Sequence, residues 1–421
     1  MWATTLGRPT ACVPVPPTVE GPEETALMTV DLRTAAVRAV AAADDGVGYF
    51  VVADGRLFLT DGRGPEAEVV CELPNIREEW EGGYWQDNPL ELRLYVHGPW
   101  VCVTENYGEH ATLVNTSTGL VREFFRTFAH YNPLPFSAGF LERDGRTLLI
   151  AQTGFNRLDI FDAETGDLLT DREMYSRTVG EPNEEGVWKV ESKNWSWLRT
   201  GSLHVAPSSA YFLCEAYQMQ DTVGVYSVDG FLQGWEASAT HIDGRGMSTT
   251  RPLTFIDDTT FAMAMDDLVL GEFFWDEEDL AEQGYEYKQL GIFTIPSPLP
   301  GNGWIDPVGV DCDAFPLGKK GEVRGELHYD PVTGHLVALN AHGAFLVRLD
   351  GSVVERLPGL SPSLGVFDDG EGEGWRYAAD RRVFYRWRDG VGIEERSFSW
   401  AGAPDGASGR PGLEGVETND R

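Results

Sequence analysis

From about residue 36 to residue 400 the chain repeats one kind of segment, a short apolar or alternating run closed by a tight turn, with no helical spacing of apolar residues. The clearest copy is Arg146 to Leu169. Within it, Thr147 to Ala151 is a continuous apolar run between turn residues, the pattern of a strand buried on both faces. Asn156 to Asp162 then alternates, with Leu158, Ile160 and Phe161 available for packing and Asp159 at a polar position. Asp162-Ala-Glu-Thr-Gly166 has the composition of a tight turn, because Asp accepts backbone hydrogen bonds and Gly adopts positive φ.

Seven such units can be laid along the sequence. Units one and two begin at Val37 and Leu92, unit three at Ala138, unit four at Ser202, unit five at Leu253, unit six at Gly325 and unit seven at Leu364. Unit three is expected to end in a strand over Leu168–Met174, and unit four in one over Phe231–Ala237 after a turn at Asp229-Gly230. Unit seven is expected to take Leu364–Phe367 as its first strand and Arg376–Ala379, Val383–Trp387 and Ile393–Phe398 as the other three. If Gly62 and Gly390 mark the same turn in units one and seven, their separation is 390 − 62 = 328 residues over six steps, about 55 per step, slightly above an ordinary propeller blade.

The chain has 421 residues, more than one small core requires, and repeat architectures escape that limit because each unit packs only on its neighbours. With 48 Gly, 24 Pro, 13 Trp, 14 Tyr and 21 Phe it suits many short strands, tight turns and aromatic packing between sheets. The expected fold is all-β, a seven-bladed β-propeller of four-stranded antiparallel blades with its long loops on one face. Residues 1–27 read as a flexible tail, 28–400 as a single propeller domain and 401–421 as a disordered acidic tail. Leu27–Leu32 reads as a strand placed to close the ring by joining the last sheet.

Leu158-Asp-Ile-Phe-Asp162-Ala-Glu-Thr-Gly-Asp-Leu-Leu169 resembles the end of a WD40 blade, where a strand closes on an aromatic-Asp pair before a Thr-Gly turn. Val114-Asn-Thr-Ser-Thr-Gly-Leu-Val121 is a weaker copy, and the chain is similar to divergent bacterial WD40-like propellers. The resemblance implies a ring fold and an interaction role, and it assigns no catalytic residue.

Net charge is −34, from 67 acidic and 33 basic residues. Such a field repels nucleic acid and anionic membrane, so neither is expected as a partner. Solubility, a salt-rich cytoplasm and mimicry of nucleic acid are each consistent with it. Cys12, Cys71, Cys102, Cys214 and Cys312 are odd in number and widely spaced, which argues against a disulfide framework and a structural zinc site. No secretion signal or bilayer-length apolar run is present, so a cytoplasmic protein is expected, and a monomer.

Phosphate-binding, dinucleotide, serine-hydrolase and zinc-protease motifs are absent, and no cofactor, metal or catalytic residue is assigned. The candidate site rests on geometry instead. Turns between first and second strands, and between third and fourth, are mostly short. Length and aromatics gather in the connections between second and third strands and from blade to blade, which emerge on the other face because antiparallel strands alternate in direction.

The candidate binding residues on that face are Trp80, Trp85, Glu105, Tyr107, His130, Tyr131, Asn156, Arg157, Trp195, Trp197, Tyr217, Asp266, Trp275 and His342. Rings supply area and carboxylates supply orientation, so a basic protein or peptide is the expected partner of a non-enzymatic scaffold. The alternative is a propeller hydrolase or lyase acting on a sugar or lactone in the central funnel, in which Glu105, His130 and His342 converge. Arg157 either binds an anion or pairs with a neighbouring carboxylate.

Overall fold

The computed structural model describes residues 29–46, 48–77, 91–106, 108–126, 136–154, 157–170, 175–179, 189–193, 200–217, 221–233, 240–243, 252–265, 289–299, 305, 307–315, 325–362 and 374–397. Expectations for residues 1–27 and 401–421 and for Leu364–Phe367 lie outside these.

Seven antiparallel sheets of three to five strands form a ring. Blade one holds Val37–Ala42, Tyr49–Ala53, Arg56–Thr60 and Glu66–Glu72, and blade two Leu92–His97, Trp100–Glu105, His110–Asn115 and Leu120–Phe125. Blade three has Ala138–Arg143, Arg146–Gly154 and Arg157–Asp162. Blade four has Thr200–Val205, Tyr211–Tyr217, Asp221–Ser227 and Thr240–Asp243, and blade five Leu253–Phe255, Thr260–Ala264, Leu290–Thr294 and Val308–Val310. Blade six has Glu326–Asp330, His335–Asn340, Gly343–Val347 and Val353–Leu357, and blade seven Arg376–Ala378, Val383–Arg388 and Gly392–Ser397.

Period-two alternation builds the ring, because successive side chains on one strand serve opposite junctions. Leu148 and Ile150 pack towards blade four, whereas Leu149 and Ala151 pack towards blade two. Leu336 and Ala338 face blade five; Val337 and Leu339 face blade seven. The result is seven apolar clusters, one for each junction between neighbouring blades, including the seventh with the first. Full burial of one Leu, Ile, Val or Phe contributes about 1.5–3 kcal/mol, so these junctions dominate the stability of the ring.

Polar contacts between short turns then set the register of one blade on the next. Asp44 Oδ2 accepts the Gly98 N–H at 2.7 Å, His97 Nε2 meets Glu142 Oε1 at 2.8 Å, and Ser209 Oγ accepts the Glu142 N–H at 2.9 Å. Ser208 N–H donates to Asp258 Oδ1 at 2.7 Å, and Arg382 Nε donates to Asp330 Oδ2 at 2.9 Å. Arg381 Nη1 donates to the Gly48 carbonyl at 3.1 Å. Blades five and six meet backbone to backbone, where a Cβ on Gly351 would lie 1.9 Å from the Asp311 carbonyl oxygen.

Four strand expectations are corrected. The N-terminal strand, Thr29–Asp31, pairs with Glu66–Glu72 as a fifth strand outside blade one and does not join the last sheet. The seventh-to-first seam is closed by side chains: Tyr49 donates to Glu395, Arg381 lies over the Tyr49 ring at 4.4 Å, and Tyr385 Oη accepts the Ala42 N–H at 3.3 Å. In blade three the described part of the expected strand Leu168–Met174 pairs through one bridge, between Phe161 and Leu168, and Thr170 donates to Asp159 and accepts the Ile160 N–H; residues 171–174 lie outside the described residues. In blade four Val228–Leu232 is a short helix capped by Ser227, and the fourth strand is Thr240–Asp243.

In blade seven Arg376–Ala378 is the first strand, not the second. The Arg381 and Arg382 side chains, on the turn after it, reach the first turns of blades one and six, which fixes that turn on the short-turn face. Gly390 therefore lies at the corner between second and third strands and is not equivalent to Gly62.

The blade-end motif forms as its composition indicates. Asp162 Oδ1 accepts the N–H groups of Glu164 and Thr165 at 3.0 and 2.9 Å, and Gly166 takes φ +76°. Asn115 makes the same turn in blade two, with Gly119 at φ +73°. Among the described residues no helix is long and apolar enough to cross a membrane.

Candidate functional site

First strands run from the long-connection face to the short-turn face, so their opening residues ring the mouth of the axis on the long-connection side. Arg93 is second in its strand, Glu326 and Arg376 are first in theirs, and His328 and His204 lie further in. His328 Nε2 and Glu326 Oε2 are 3.0 Å apart, and the His328 ring sits 5.5 Å from that of Tyr377. Burial would push the Glu326 carboxyl up, but the His328 hydrogen bond and the charges of His328, Arg376 and Arg93 outweigh it and hold the group below the usual range. Burial raises the Tyr385 phenol, which Arg376 draws down and Glu326 pushes up.

Burial, with the nearby charges of His328 and Arg93, lowers His204 to about 4. The Nε2 atom of His204 is buried and has no hydrogen-bond partner. These groups come from blades two, four, six and seven, of which only six and seven are neighbours. Mutual influence among them is possible only across the axis of the ring. Glu326 keeps 35 % of its side-chain surface accessible.

A consequence follows for acid stability. With its pKa below the ordinary imidazole value of about 6.5, His204 stays neutral in the fold while the unfolded chain takes up a proton. Stability should therefore fall as pH drops from about 6.5 towards 4, by at most about 1.4 kcal/mol per pH unit from this group. Glu326, held low in the fold, adds a loss in the same direction at lower pH. Urea midpoints measured at pH 7, 6 and 5 should show a shallower decline for His204→Gln than for the native protein.

Under the long-connection face lies a second, buried polar layer. The Glu105 carboxylate accepts from Arg77 through its backbone N–H at 2.9 Å, Nε at 3.1 Å and Nη2 at 2.7 Å, and from the N–H groups of Glu109 and His110 at 3.1 and 3.2 Å. Gly108 is required at this corner, since a Cβ there would lie 2.2 Å from Glu105 Oε2. Arg126 donates to the Gly108 carbonyl and, at 2.7 Å, to Gln152 Oε1, with its guanidinium 5.0 Å from the Phe136 ring. Asp159 is buried and accepts from Thr153, Thr170 and Arg157.

The sequence-predicted residues distribute over these layers. Glu105 holds the junction of blades one and two with its carboxylate occupied. Arg157 pairs with Asp159, with Nη2 to Oδ1 at 3.1 Å, the pairing alternative of the two. His342 is exposed at a corner of blade six, where its N–H donates to Asn340 Oδ1 at 2.8 Å. Tyr217 ends a strand of blade four; its side chain lies outside the described residues, as do Trp80, Trp85, Tyr107, His130, Tyr131, Asn156, Trp195, Trp197, Asp266 and Trp275.

Among the described residues no three His, Cys, Asp or Glu side chains are grouped to hold a metal ion. The four described cysteines are free, and burial pushes the Cys102 thiol up to about 12 and that of Cys312 to about 11. None is poised as a nucleophile. No protein-family model matches the chain, and no curated protein matches it either. The fold is a seven-bladed β-propeller.

Proposed function

We propose that the protein is a non-enzymatic scaffold that holds a basic protein or peptide on its long-connection face, against the acidic and aromatic residues carried there. The observation that carries this reading is the contrast between the two faces. On one, the turns are mostly short and spend their polar groups on each other and on the next blade. On the other, the chain makes long excursions between Glu72 and Leu92, Phe125 and Ala138, Asp162 and Thr200, and Ala264 and Leu290.

The third of these carries a two-stranded hairpin, Tyr175–Val179 with Lys189–Lys193. Beneath, the Arg77–Glu105 and Arg126–Gln152 contacts supply a rigid floor. Loops that vary over a rigid base are the usual carriers of binding. The net charge of −34 favours a cationic partner, with association weakened by salt.

Fluorescence anisotropy with Arg- and Lys-rich peptides should give saturable binding that weakens as sodium chloride rises, and Trp80→Ala with Trp275→Ala should reduce it. A full peptide panel without binding, or binding indifferent to salt, would count against the scaffold reading.

A further inference from the structure

The outer part of blade seven departs from the acidic character of the chain. The register of its last two described strands sets Arg386 opposite Glu394, Phe384 opposite Arg396 and Arg388 opposite Gly392, so the three arginines share one face with Glu394. All three reach that one carboxylate. Arg386 meets it through Nε at 2.9 Å and Nη2 at 2.8 Å, Arg396 through Nη2 at 3.5 Å and Arg388 through Nη1 at 4.0 Å. Glu394 is thus hydrogen-bonded to Arg386, whereas Arg388 and Arg396 touch it only at ion-pair distance. With 60 % and 45 % of their side chains exposed, these two keep guanidinium donors turned to water. Arg396 is held in place by the buried Trp375, whose ring lies 4.9 Å from its guanidinium, and Asp389, beside Arg388, accepts from the Trp387 indole at 3.1 Å.

Among the described residues Gly392–Ser397 has a neighbouring strand on one side only. Its other side carries a row of backbone N–H and C=O groups, the template for an added strand. In an extended segment laid there, residues two apart, roughly 6.7 Å from each other, present their side chains to the face of Arg396 and Glu394. Two guanidinium groups gathered at one carboxylate call for two anionic groups on one short segment, and their forks match the paired oxygens of carboxylates. We propose that the outer edge of blade seven binds an acidic extended peptide of a partner protein, which adds a strand to Gly392–Ser397 and sets alternate carboxylates on Arg388 and Arg396. The net charge of −34 opposes the approach of such a peptide, but salt at about 0.1 M confines that field to about 10 Å, so the arginines at the edge govern contact. This edge is distinct from the loop surface assigned to the basic partner, so either assignment can fail without the other.

The test uses the full chain and a fluorescent peptide of alternating Glu and Val, at constant ionic strength, with a Lys-Val peptide of the same length and inorganic phosphate as controls. The acidic peptide should bind saturably. Arg388→Gln should weaken it, and Arg388→Gln together with Arg396→Gln should weaken it about tenfold or more, while binding of the lysine peptide stays unchanged. In the unsubstituted protein the amides of residues 392–397 should exchange more slowly with the acidic peptide bound. No saturable binding up to about 1 mM, undiminished binding by folded Arg388→Gln, or amides that exchange as before would each overturn the assignment. So would displacement by an equal concentration of phosphate, which would mark a site for a free oxyanion.

Discussion

Replacing Glu105 by alanine should destabilise the protein by about 3–5 kcal/mol, the range found when one partner of a buried charge pair is removed. The carboxylate is fully buried and gathers five donors, two from the Arg77 guanidinium and three from backbone N–H groups. Truncation removes the Glu105 charge from beside Arg77, 23 % of whose side chain is exposed, and takes the shared acceptor from three N–H groups. Glu105→Gln should cost less, since one oxygen is retained, while the amide NH₂ faces donors it cannot accept from. Urea unfolding reads both effects, and a loss below about 1 kcal/mol for the alanine variant would show that water replaces the carboxylate.

Trp375→Ala should lose about 3–5 kcal/mol through a cavity at the junction of blades six and seven. The indole is fully buried among Val337, Leu339, Leu346, Leu360 and Phe384, with the guanidinium groups of Arg386 and Arg396 at 4.5 and 4.9 Å. Both arginines are also tied to Glu394, so they have little freedom to follow a missing ring and fill the space. Trp375→Phe should recover more than half of the loss. If alanine costs no more than phenylalanine, the blade has collapsed onto the gap and the junction is softer than its packing suggests.

The blades were legible in the sequence because each is specified locally. Alternation along residues 146–154 assigns successive side chains to two junctions, and Asp162 or Asn115 with its following Thr-Gly builds a turn from neighbours alone. Errors arose where a local pattern met a distant partner. Thr170 looks like a continuation of a strand until it is seen to serve Asp159, and Ser227-Val-Asp-Gly reads equally as a turn or as the cap of a short helix. The position of blade seven depended on Arg381 and Arg382, whose partners Gly48 and Asp330 are 333 and 52 residues away.

The axial charges were missed for a related reason. Arg93, His204, Glu326, His328 and Arg376 are scattered polar residues of inner strands, an unremarkable pattern strand by strand. Their meaning lies in meeting across the ring. The recurrence of such residues near the start of first strands was the available signal, because an inner strand packed on both sides has no other reason to carry charge. On the long-connection face, sequence supplied the candidate residues, and among the described ones it is burial and pairing that separate Glu105 and Arg157 from His342.

The described N-terminal strand ends on blade one, and the seam with blade seven is made of side chains. A circle latched by a borrowed strand must unthread before it opens. The described strands of blades one and seven can part by sliding two surfaces apart, leaving every described sheet intact. Assembly can accordingly follow the order of synthesis, each blade laid on the one before, with the last docking on the first as the final act.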